Sequence, residues 1–75
     1  MLVLRADCLR IFGEAVKRNR EEIGWCRADV ARIIGLNEAD ILAVEAGEKA
    51  DLKFAYVQML ARALGIDLWK VLDGA

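Results

Sequence analysis

The sequence contains no histidine, serine, threonine or proline. Without hydroxyl nucleophiles or an imidazole there is no Ser–His machinery and no His-assisted cysteine chemistry, and the usual Cys/His zinc sets cannot be assembled. No catalytic residue, metal ligand or cofactor is expected, and the chain does not read as an enzyme. Cysteine is scarce. Cys8 and Cys26 allow at most one intramolecular bridge, and with nothing pointing to export both are expected to stay reduced, as small apolar or capping-site residues. No apolar run approaches the length of a membrane span, and the opening Met1-Leu2-Val3-Leu4 meets a charge at Arg5 too soon for a signal peptide. The expected location is the cytoplasm, away from any membrane. An excess of positive charge is missing as well: 11 Lys and Arg stand against 12 Asp and Glu, a net charge of −1. The general basic footprint of a nucleic-acid binder is absent, so any such affinity must come from a local patch.

What the chain has in quantity is apolar surface. Hydrophobic residues fill 57% of 75 positions and charged residues 31%, a balance that argues against disorder. A chain of this length holds one domain, residues 1–75 with 1–6 as an N-terminal extension, near the lower size limit for a self-sufficient core. Apolar surface left over from that core suggests a partner.

Glycines at 13, 24, 35, 47, 65 and 74 punctuate segments of helical periodicity with no strand-like alternation, so the chain reads as all-α with five helices. The first runs from about Asp7 to Glu22, with Leu9, Phe12, Val16 and Ile23 on one face. The second, about Arg27 to Ile34, turns Val30, Ala31 and Ile34 inward and ends at Gly35. The third has Asn37 as its cap, Asp40 as the reciprocal carboxylate, Ile41 and Val44 toward the core and Gly47 as its stop. Asp51 is expected to cap the fourth, with Phe54, Val57, Leu60, Ala61 and Leu64 as its apolar stripe and Gly65 as its end. Asp67 caps a last helix from Leu68 to Leu72 that folds back onto the core. The predicted core is Phe12, Val16, Val30, Ile41, Val44, Val57 and Leu64, with Trp25 beside it.

Two short helices joined at Gly35-Leu36-Asn37, one long helix before them and two more after, follow the helix-turn-helix plan. The residues sharpen the match: Gly13, Val16, Arg20 and Gly24-Trp25, then Val30-Ala31, Gly35-Leu36, Ile41, Val44-Glu45 and Gly47, then Leu60-Ala61, Leu64-Gly65-Ile66 and Leu68. From Phe12 to Leu72 the chain resembles the Cro/C1-type (XRE-like) family of lambda-repressor-like domains. The resemblance implies a five-helix DNA-binding domain with its helix-turn-helix at helices two and three. It also implies an ion pair between Arg20 and Glu45, which would make Arg20 structural. The family usually has a glutamine at the start of helix two, preceded by Ser or Thr; this chain has Arg27 and Cys26 there.

The expected DNA-facing positions are Arg27, Asn37, Glu38, Ala39, Asp40, Ala43 and Lys49. Glu38 and Asp40 complement the helix dipole, yet they put carboxylates where a polyanion must approach. From Arg27 to Lys49 three basic residues face five acidic ones, a balance of 3 − 5 = −2. Lys17, Arg18, Lys49 and Lys53 are further basic candidates that read first as solvated charges. Ile33, Leu42, Met59 and Trp69 are apolar where the resembled family is usually polar, and with Leu2, Val3 and Leu4 they offer material for an interface. Two functions follow. The first is a transcriptional regulator that binds duplex operator DNA as a homodimer. The second is a helix-turn-helix module that has lost DNA binding and acts on another protein, as an antiactivator or antirepressor, through Ile33, Glu38, Ala39, Asp40, Leu42 and Ala43.

Overall fold

The computed structural model describes residues 6–73, with side chains from 7 to 71. Leu2, Val3 and Leu4, and the side chain of Leu72, lie outside the described residues. The described chain is all-helical: α1 spans Ala6–Ile23, α2 Arg27–Ile34, α3 Glu38–Glu45, α4 Phe54–Leu64 and α5 Leu68–Asp73. None of these helices is long and apolar enough to cross a membrane.

Sequence chemistry sets the ends. Gly35 takes a left-handed φ of 78° and its N–H, with that of Leu36, returns to the Ala31 carbonyl at 2.9 Å, which closes α2 and starts the sharp turn into α3. At the start of α3 the Asn37 side chain accepts from the Asp40 N–H at 2.8 Å, and the Asp40 carboxylate accepts from the Asn37 N–H at 3.3 Å. Two otherwise orphaned donors are thereby satisfied. The Asp67 carboxylate accepts from the Trp69 N–H at 3.0 Å, a cap for α5.

Two expectations need correction. The fourth helix begins at Phe54 with Lys53, not Asp51, at the capping position. The reason is Leu52, which is buried and pins the mostly exposed residues 48–53 to the core as an irregular strap before the helix can start. Ile23 shares a helical face with Phe12 and Val16 but is exposed, because α1 ends there and Trp25 packs against that end of the core instead.

Helix α1 packs against α3, α4 and α5, and α2 against α3 and α4. At their centre Phe12, Val16, Val30, Ile41, Leu52, Val57 and Leu60 are fully buried, and Val44 and Leu64 are buried beside them. Burying each large side chain is worth roughly 1.5–3 kcal/mol. Close approach of α1 to α3 depends on Gly13: a Cβ there would stand 2.2 Å from the Val44 carbonyl oxygen. With the backbones this near, the last turn of α3 is clamped against α1 and its first turn projects away.

Candidate functional site

The seam between α1 and α3 is charged. Arg20 and Glu45 are the buried charged side chains among the described residues. Arg20 Nε donates to Glu45 Oε2 at 2.6 Å and Nη2 donates to Oε1 at 3.2 Å, while Nη1 donates to the Trp25 carbonyl at 2.8 Å. This fork of bonds to Glu45 raises the Arg20 pKa against the opposing pull of burial. Glu45 also accepts from Arg27 Nε at 2.9 Å. Two arginines from the ends of α1 and α2 thus converge on one carboxylate of α3, and the three helices are tied at a single point.

That bond changes what Arg27 offers. Read from sequence as a phosphate holder, it leans back on Glu45 and is about two-thirds covered, its side chain 34% exposed. Lys49 is held in the same way, with Nζ 3.4 Å from the Asp40 carboxylate and 3.3 Å from that of Asp51. Its pKa is raised by Asp51 first and by Asp40 after it, and Lys49 in turn lowers the Asp51 pKa. Asp51, assigned from sequence to a cap, is instead part of this surface cluster. The Lys-Ala-Asp spacing at 49–51 was the available signal, and it needed the strap to bring Asp40 alongside. A groove lined by Leu36, Asp40, Lys49, Leu52 and Tyr56 runs beside the cluster.

At the head of α2, Cys26 is the capping residue, exposed and free. The Asp29 carboxylate accepts from the Cys26 N–H at 3.0 Å and from its thiol at 3.2 Å, and it also takes Arg32 Nη2 at 2.7 Å. The bonds from Cys26 lower the Asp29 pKa.

The outer side of α3 remains. Asn37, Glu38 and Ala39 are exposed, Asp40 and Ala43 half-buried, and Leu42 is 53% exposed. The structure therefore brings Glu38, Ala39, Asp40, Leu42 and Ala43 onto one outward surface, with Lys49 at its edge. It sets Ile33 elsewhere, beside Met59, Arg62 and Ala63 in a shallow groove between α2 and α4. Trp69 is 77% exposed on α5.

Known proteins have the same construction. The pattern of the transcription regulator-like HTH domain family matches residues 8–71. The restriction-modification controller protein C.AhdI from Aeromonas hydrophila has a similar structure, with a TM-score of 0.70, 25% identity and coverage of 84% of this chain and 90% of that one. So does the hypothetical transcription factor NHTF from Neisseria, at a TM-score of 0.74 and 22% identity over 96% of this chain and 83% of that one, a likeness of fold. No curated protein matches the chain by sequence. The fold is thus the lambda-repressor-like one, α2 and α3 form its helix-turn-helix, and with 8–71 matched the chain belongs to the transcription regulator-like HTH domain family.

Proposed function

We propose that this small helix-turn-helix regulator controls transcription by gripping another protein with the outer face of α3, and that the face is unsuited to duplex DNA. One observation carries the reading: the cations expected to meet phosphate are occupied by the chain's own carboxylates. Arg27 is bonded to Glu45, and Lys49 lies between Asp40 and Asp51. Asn37, the side chain of that surface best suited to reading a base edge, accepts the capping bond of its own helix. Non-specific DNA affinity comes from Lys and Arg releasing counterions from phosphates, and a surface whose cations are neutralised at home has little to offer. Leu42, exposed one turn from the Glu38 carboxylate, supplies the apolar centre of a protein interface with charge at its rim.

The second reading is a Cro/C1-type homodimer that binds operator DNA. It is favoured by the family, whose fold is commonly put to DNA binding, and by the resemblance to a restriction-modification controller. In that reading Arg27, Asn37, Glu38, Ala39, Asp40, Ala43 and Lys49 line the duplex, and two copies meet half-sites about one helical turn apart. The two separate in an NMR titration of random-sequence duplex at low salt. The protein-directed reading expects unmoved amides at Arg27 and along α3. Salt-sensitive shifts there, weakened by Arg27→Ala, establish the operator reading instead.

A further inference from the structure

The outer face of α3 also specifies the chemistry of what it would hold. Among the described residues, Glu38 and Glu48 are exposed and enter no ion pair or side-chain hydrogen bond. Between them Ala39, Leu42 and Ala46 follow at helical spacing, and Ala39, Leu42 and Ala46 are all exposed. The surface is an apolar strip with free carboxylates at both ends. The cations of the helix-turn-helix itself are engaged, Arg27 with Glu45, Arg32 with Asp29 and Lys49 with Asp40 and Asp51, while Lys53 beyond Asp51 is exposed and enters no ion pair among the described residues. A charge-complementary occupant carries unpaired Lys and Arg around an apolar anchor. Surfaces that hold nucleic-acid phosphates concentrate unpaired cations in this way.

We infer that the α3 face docks the basic, DNA-holding surface of another regulatory protein, so that this chain and DNA compete for one partner. The inference rests on the protein-directed reading above and gives its partner a chemistry and a mode of regulation. Like charges explain why DNA itself is refused, and complementary charges explain why its holder is accepted. Leu42 makes the contact more than a diffuse attraction, since an anchor in a desolvated pocket fixes register where exposed charge pairs alone do not.

The test uses the full chain, labelled with 15N, at physiological ionic strength. Three probes are compared: a synthetic amphipathic helical peptide with Arg on one face and a single Leu anchor, its Arg→Gln counterpart, and a short random-sequence duplex. The Arg peptide is expected to shift the amides of Glu38, Ala39, Leu42, Ala46 and Glu48, and added duplex to return them to their free positions. Replacing Glu38 and Glu48 together by Gln should weaken binding about three- to tenfold, the scale of two exposed ion pairs, with only the small loss of thermal stability that follows from removing the Glu38 charge at the start of α3. If the Gln peptide binds the face equally well, the basic-partner inference is overturned while the protein-directed reading stands. If the duplex alone shifts the face, both fall. If no probe shifts it, or the Arg peptide shifts only residues elsewhere, the inference is wrong.

Discussion

The two faces of α3 are made from the same eight residues and obey different rules. Inward, Ile41 and Val44 are buried in apolar company, and the one inward charge, Glu45, has both carboxylate oxygens bonded to arginine. Outward, Glu38 is free, Ala39 is bare, and Leu42 stands in water with an exposure of 53%. Any chain with this packing must solve the inner face in some such way, because a buried charge without a partner cannot be tolerated. Nothing in the packing asks for Leu42 or Glu38 on the outer one. The inner face reports the fold, and the outer face reports the use.

The contrast is broken most severely at the seam. Arg20→Ala leaves Glu45 buried with the one-third-exposed Arg27 as its remaining cation, and should cost about 3–5 kcal/mol in chemical denaturation. Arg27→Ala keeps the Arg20 fork intact and should cost about 1 kcal/mol or less, the scale of a solvent-screened pair. Neighbouring positions on α3 give the next largest effect. Ile41→Ala opens a cavity at a fully buried site and should cost about 2–5 kcal/mol. Leu42→Ala should stay within about 0.5 kcal/mol of the parent. A large loss at Leu42 would place it in the fold and remove the anchor from the proposed interface.

Legibility followed the same division. Elements whose ends are set by local chemistry were readable: Gly35 after Ile34 and the Asn37–Asp40 reciprocal cap mark α2 and α3 without any knowledge of neighbours. All seven core residues expected from periodicity are buried. What escaped depends on residues far apart in the chain. Leu52 is a single apolar residue in a polar stretch, and only its burial delays α4 past Asp51. Arg27 and Glu45 are 18 positions apart, and no spacing rule announces that an arginine at the head of α2 will turn back to α3. The charge balance of the helix-turn-helix was countable from sequence; that its cations are also spoken for was not.

Smaller effects sharpen the outer surface. Asn37→Ala removes the cap of α3 and should cost about 1 kcal/mol by thermal melting. The carboxyls of Asp29 and Asp51 should titrate below the ordinary carboxylate range, Asp29 because of Cys26 and Asp51 because of Lys49. A lowered folded-state value means that their contribution is complete above the unfolded value of about 3.9 and lost as pH falls through the folded one. Carboxyl-detected NMR should show Lys49→Ala returning Asp51 toward its ordinary value and leaving Asp29 unchanged.

In the proposed function, carboxylates on the first turn of α3 keep this helix-turn-helix off DNA. Duplex affinity at low salt, compared between the parent chain and the Glu38→Gln, Asp40→Asn double variant, tests it most directly. The parent is expected to show no saturable binding and the variant measurable, salt-sensitive binding. Tight, salt-sensitive binding by the parent, unchanged in the variant, would contradict it.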